Sequence, residues 1–270
     1  MEKQKLIIGV LGCGYECEEL IDRVLGPWIT LKNNPNCPYQ FIFSFVHGQF
    51  KEYVGLDGLK KPYIPNWAQG YKSSIDFFIT PEPGSEAELR NLALRPLLQA
   101  GCDLIYLLDL QDEIYKAIEI EKTLKFVENN PFIAWFKGSL KNYVFDHRHY
   151  LAEPFTPARI YRTDYRGLKL KGFRFDNEMV YQDTVGRIGN NIVDHLQLPH
   201  LTLPKSVCWT THYTWMSDEK GKKKCKYQAA HFGFDLCSYI WNDEKNVLEF
   251  NPAYYTRFNL PFPEVVEESS

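Results

Sequence analysis

The feature that most constrains the fold of this 270-residue sequence is an apolar run, Leu104-Ile105-Tyr106-Leu107-Leu108, that ends directly on a carboxylate, Asp109. Such a run reads as a buried strand. A carboxylate at its end costs desolvation free energy unless it is paired or binds a cation. The strand therefore delivers a charge to a place where the charge needs a partner.

The surrounding chain repeats one pattern. Strands are expected at 6–11, 40–46, 75–79, 104–108 and 132–136, and amphipathic helices at 16–31, 86–100 and 114–129. Pro27 falls near the end of the first helix, and Pro96 is expected to kink the second. Residues 49–74 have weak periodicity and are expected to form a long loop or lid. This alternation predicts an α/β fold: a mostly parallel sheet flanked by helices, with ligands beyond the carboxyl ends of the strands. After residue 137 the pattern is irregular, with short β-like pieces at 159–162 and 207–212 among polar aromatic loops, and a frayed tail.

Bulk properties exclude some classes. A net charge of -3 lacks the basic excess of a protein held to nucleic acid mainly by phosphates. The run from Lys220 to Lys226 reads as a solvated loop. The seven cysteines contain no CxxC pair and no zinc-site spacing, so they read as reduced thiols of a cytoplasmic protein. Neither a signal peptide nor a membrane-spanning run is expected. Aromatic content of 15% is high and suits either a thick core or stacking platforms for sugars and bases.

Gly12-Cys13-Gly14-Tyr15-Glu16-Cys17 follows the first strand like a dinucleotide fingerprint, but Cys17 replaces the third glycine. The second strand ends Val46-His47-Gly48, with no acid for a ribose hydroxyl. The glycines still allow a sharp turn and close approach to a ligand.

The informative stretch is 86–115. It sets a helix bearing Arg90 and Asn91 before the strand that presents Asp109, Gln111 and Asp112. Those oxygens suit a hard divalent ion that also ligates a diphosphate, and Arg90 adds fixed positive charge. Capping of a following helix at Asp112-Glu113 suits the same carboxylates.

Arg90-Asn91-Leu92-Ala93-Leu94 and Gly101-Cys102-Asp103 leading to Asp109 resemble the corresponding elements of family-2-like glycosyltransferases of the GT-A fold. Gln111 stands where that family has its second metal-binding Asp, and His47 where it has an acid. The resemblance implies a hexosyltransferase that uses a nucleoside-diphosphate sugar, with UDP as the nucleotide, and a divalent metal, Mn2+ or Mg2+. It implies nucleotide contacts from Gly12, Gly14, Tyr15, His47, Arg90, Asn91 and Asp109, and metal ligation by Asp109, Gln111, Asp112 and a late histidine, His212 before His231. Gln182-Asp183 matches the family's acceptor-side acidic pair, so Asp183 is the expected general base of an inverting transfer, with Asp176 and Glu178 behind it. Capping of a helix over 184–196 is the other reading of Asp183.

Residues 1–136 are then the donor half and 137–270 the acceptor half of one domain. The acceptor hydroxyl is left open among glycan, protein, lipid, small molecule and a modified base in phage DNA. For that last acceptor, Trp209, Tyr213 and Trp215 offer stacking, and Arg159, Arg162 and Arg166 offer charge. A nucleotidyltransferase or a non-catalytic sugar- or nucleotide-binding module is the alternative.

Overall fold

The computed structural model describes residues 5–268 except 112, 146, 147, 176, 177, 190, 216 and 217. The chain opens with β1 (Leu6–Gly14), α1 (Ile21–Asn33), β2 (Tyr39–His47), α2 (Lys51–Asp57), α3 (Asn66–Gly70), β3 (Phe77–Ile79), α4 (Glu86–Gln99) and β4 (Leu104–Asp109). It continues through β5 (Glu113–Ile114), α5 (Ala117–Glu128), β6 (Trp135–Lys137), β7 (Leu140–Val144), β8 (His149–Leu151) and β9 (Ala158–Arg162). Next come β10 (Asp164–Tyr165), β11 (Leu168–Phe175), β12 (Glu178–Asp183), β13 (Ile192–Asp194), β14 (His200–Thr202) and β15 (Thr210–Trp215). The last elements are α6 (Asp218–Phe232), β16 (Tyr239–Asn242), β17 (Val247–Phe250), α7 (Pro252–Arg257) and β18 (Val265–Glu267).

The central sheet has the order β14-β6-β9-β4-β1-β2-β3. Its pairs are parallel except where β9 runs against β4 and β6. This is the mainly parallel sheet the alternation predicts. On β4, Leu104, Tyr106 and Leu108 enter one core, while Ile105 and Leu107 enter a second on the other face. Side chains of a strand alternate between faces, so an unbroken apolar run needs cover on both. α1 and α5 supply it on one side, α4 and the four-stranded sheet β10-β11-β12-β13 on the other.

Aromatic richness is spent largely in these cores. Trp28 of α1 meets Tyr106, Tyr115 and Phe41 at centroid distances of 4.7, 5.5 and 6.1 Å. α4 starts from a capping box, in which Ser85 and Glu88 exchange hydrogen bonds and satisfy amides left over at the helix start. All seven cysteines are buried, and none is in a disulfide. No helix among the described residues is long and apolar enough to cross a membrane.

Four local expectations fail, the first being the run Lys220 to Lys226, which lies in helix α6 and not in a loop. Residues 49–74 contain two short helices, α2 and α3, instead of an irregular loop. The described residues of 184–196 form no α-helix; a turn is followed by β13 and one 3-10 turn. Gly186 and Gly189 adopt left-handed φ angles of 73° and 71°, which end any helical run. α5 begins at Ala117 because Glu113 and Ile114 are drawn into strand pairing with β15.

Candidate functional site

A cleft of about 750 Å³ opens at the carboxyl end of β1 and β4. Cys13, Arg90, Asp109, Gln111, Arg159 and His212 line its inner end. The register β1–β4 places Cys13 beside Asp109. Arg90 enters from α4 with its side chain 4% exposed, and its Nη2 lies 3.4 Å from Asp109 Oδ1. The helix-borne arginine and the strand-end carboxylate therefore share one cleft.

Two neighbours in this cluster, Glu113 and Arg159, are not among the residues expected from the sequence to build the donor site. Glu113, fully buried, stands opposite His212 on the antiparallel pair β5–β15. His212 in turn stands opposite Asn142 on the parallel pair β7–β15, and His212 Nδ1 donates to Asn142 Oδ1 at 2.8 Å. That bond fixes the tautomer and leaves Nε2 as the lone-pair nitrogen. Arg159, whose side chain is 2% exposed, places Nη2 at 3.1 Å from Asp109 Oδ2 and also bonds Glu113 Oε1. Its position follows from β9, where Ile160 pairs with Tyr106 and Arg159 faces the end of β4. Arg159 was legible only as one of three scattered arginines; nothing in its spacing tied it to Asp109.

Electrostatics follow from this geometry. Burial pushes the Asp109 carboxyl up, but Arg159 and Arg90, helped by His212 and Lys224, outweigh it and hold it below the usual carboxylate range. Arg159 stays charged: burial opposes its charge, yet Glu113 and Asp109 more than offset that. Cys13 is driven up by burial and stays a neutral thiol.

Among the described residues, those grouped so that they could hold a divalent ion are Asp109, Glu113 and His212, whose ligand atoms all lie within 4.8 Å of one another. Two carboxylates and an imidazole suit Mn2+ or Mg2+, so the donor set fits, with Arg159 sharing both carboxylates. Gln111 lines the cleft, but its amide donates to the Tyr15 carbonyl and so ties β4 to the loop after β1. Asp112 lies outside the described residues, as does the side chain of His231.

Other expected donor contacts are placed elsewhere. Asn91 faces away from the cleft: Nδ2 donates to the Phe173 carbonyl and Oδ1 accepts from the Phe173 amide, both at 2.8 Å, a side-chain imitation of strand pairing that docks α4 on β11. Gly12 and Gly14 serve packing. A Cβ at Gly12 would meet Phe45 at 2.6 Å and Leu110 at 2.8 Å, and one at Gly14 would meet Leu110 at 2.9 Å. Tyr15 and His47 are buried with ring centroids 5.9 Å apart, and Tyr63 covers His47 at 4.9 Å. Burial holds the His47 imidazole below its ordinary value.

Asp183 is not among the described residues that line the cleft. It ends β12, and its carboxylate accepts from the amides of Val185 and Ile188. These backbone bonds, the Ile188 one foremost, hold it below the usual carboxylate range and make it a poor proton acceptor. Asp183 is thus a turn cap here, though not of a helix. Glu178 begins β12, and Asp176 lies outside the described residues. Trp209 and Tyr213 are held by Lys205 and Tyr143 and do not line the cleft; the side chain of Trp215 is outside the described ones.

No family model matches the sequence, and no curated protein does. Among solved structures the chain is similar to residues 1–349 of S. aureus TarS in complex with UDP, at 12% identity and a TM-score of 0.44, over 86% of this chain and 66% of that one. It is similar to a longer S. aureus TarS chain at 11% identity and a TM-score of 0.43, over 86% of this chain and 40% of that one. The chain thus spans less than half of the longer TarS chain.

Proposed function

We propose that this chain is a glycosyltransferase that moves a sugar from a nucleoside-diphosphate donor, with uridine as the nucleoside, to an acceptor hydroxyl. One observation carries the reading: Arg90, Asp109, Glu113, Arg159 and His212, drawn from five elements, converge on one end of a cleft beyond the parallel strands. The sequence resemblance to family-2-like enzymes supports the donor class, since Arg90 and Asp109 are the residues that carry it.

In the transfer, the acceptor oxygen attacks the anomeric carbon in line as the bond from that carbon to the diphosphate oxygen breaks. The electron pair of that bond leaves with the nucleoside diphosphate, and the hydroxyl proton goes to a carboxylate. Arg90 and Arg159 supply fixed positive charge at the diphosphate end. Asp109, Glu113 and His212 would hold a divalent ion there, which when bound neutralises charge developing on the leaving group. With Asp183 committed to backbone amides, the proton acceptor is sought among Glu52, Glu153 and Glu264, the carboxylates farther along the cleft. A carboxylate separate from the leaving group, acting in line, gives inversion.

The test is thermal denaturation with UDP, with and without Mn2+. UDP with Mn2+ is expected to raise the midpoint of the intact protein and not that of Asp109→Ala. No shift with UDP under either condition ends the donor reading. Because Arg159 bonds both carboxylates, binding without transfer is the second reading; release of sugar from UDP-glucose separates the two.

A further inference from the structure

Beyond the diphosphate end, the same cleft changes character. Phe155 stands beside His212 at 5.5 Å between centroids, and past it Tyr239, Tyr254 and Tyr255 form a wall, with Tyr53 and Tyr227 stacked at 4.5 Å elsewhere on the lining. The wall is fixed from behind: Phe250 lies 5.5 Å from Tyr239 and 5.9 Å from Tyr255. Tyr239 and Tyr255 are buried and back the wall, so Phe155, which is exposed, and Tyr254, which is half-buried, supply its accessible ring surface.

The charges along this wall are acidic. Glu153 and Glu264 are both exposed and share the mouth, because β18 pairs with β8 and the Ala152 amide donates to the Glu264 carbonyl at 3.0 Å. Glu52 lines it too. The cations among the described lining residues are Arg90, Arg159 and Lys224. Arg90 and Arg159 are engaged by Glu86, Asp109 and Glu113. Two lysines next to Lys224 are also engaged, Lys222 by Asp243 at 2.6 Å and Lys223 by Glu16 at 2.9 Å and Asp57 at 2.5 Å. Lys222 and Lys223 of the basic run are thus tied to the protein's own acids.

Resting on the transferase reading, we infer that the acceptor is an uncharged saccharide, bound with its C–H faces against the tyrosine wall and its vicinal hydroxyls donating to Glu153 and Glu264. A polyanionic acceptor, whether a phosphate polymer or DNA, meets like charge at the mouth, where Arg90 and Arg159 already face the protein's own acids.

The experiment is titration calorimetry of the full chain with maltotetraose, cellotetraose and chitotetraose, and with a DNA duplex carrying 5-hydroxymethylcytosine, each alongside UDP. At least one tetrasaccharide is expected to bind with little salt dependence, and the duplex not to bind. Tyr254→Ala is expected to weaken the saccharide about tenfold. Should that variant not fold, Glu264→Gln, at an exposed position, is expected to weaken it too. UDP binding with no tetrasaccharide bound overturns the inference and spares the transferase. Tetrasaccharide binding without UDP binding keeps the saccharide cleft and removes the transferase. A salt-sensitive duplex interaction with no tetrasaccharide bound overturns the acceptor class outright.

Discussion

Glu113 and His212 face each other across one rung of an antiparallel ladder, the short pair β5–β15. The rung brings a fully buried carboxylate and an imidazole to the strand end that carries Asp109. A cation site here depends on strand pairing between distant segments as much as on the residues themselves.

Asn142 holds His212 through Nδ1 and so aims Nε2 at the cluster. Asn142→Ala is expected to weaken Mn2+ binding by about 10–100-fold, the usual cost of removing a ligand's supporting partner. Electron paramagnetic resonance of free Mn2+ measures it. Unchanged affinity in Asn142→Ala together with Glu113→Gln would show that the ion binds elsewhere.

Arg159 neutralises two carboxylates, the fully buried Glu113 and Asp109, whose side chain is 32% exposed. Replacing it by Met takes this cation from the buried Glu113 and leaves Asp109 with Arg90. The expected loss is about 3–5 kcal/mol of folding stability, read by urea denaturation. A loss below about 1 kcal/mol means water reaches this pair and the salt bridge is of surface type.

Asn91 docks α4 on β11 with two hydrogen bonds. Asn91→Ala leaves the Phe173 amide and carbonyl without these partners, at a cost of about 1–3 kcal/mol. Its UDP affinity is expected to match that of the unaltered protein. A loss of UDP affinity without a loss of stability places Asn91 on the donor after all.

Asp183 carries the competing assignment. Asp183→Asn is expected to lower the thermal midpoint, since a carboxylate held low by amides stabilises the fold above its unfolded value and loses that contribution as pH falls. Transfer is expected to persist. An unchanged midpoint with transfer reduced about 10²–10⁴-fold restores Asp183 as the base.

His195 sets a pH dependence. Burial, chiefly, holds its imidazole below the ordinary value against the pull of Asp194, and its Nδ1 accepts from the Met179 amide at 3.0 Å. The unfolded chain therefore takes up a proton at about pH 6.5 that the folded chain does not. Stability is complete above that pH and declines as pH falls below it, until the folded-state value is reached. His195→Asn has no such proton to gain, so its midpoint is expected to fall less steeply between about pH 6.5 and 5. Parallel curves for the two proteins refute the assignment.

The layered fold was legible because its signals are local. The apolar run 104–108 requires cover on both faces wherever it sits, and the stripe on 86–100 can only be an amphipathic helix. Arg90 and Asp109 were legible too, Arg90 by its place on the helix before the strand and Asp109 by the end of that strand, and His212 by the end of a strand-like piece. Residues 184–196 were misread because the helix was taken from the resemblance; two glycines in left-handed conformation and a carboxylate that collects their turn's amides set a turn there.

The sequence by itself determined a parallel α/β core and the elements that carry Arg90, Asp109 and His212, since periodicity and strand ends are properties of short segments. Only the tertiary structure decided that Glu113 and Arg159 join them, that Asn91 turns to β11, and that Asp183 stays apart. The reason is register: which side chain meets which across β4–β9, β5–β15 and β7–β15 depends on pairing between remote strands. No local pattern encodes that pairing.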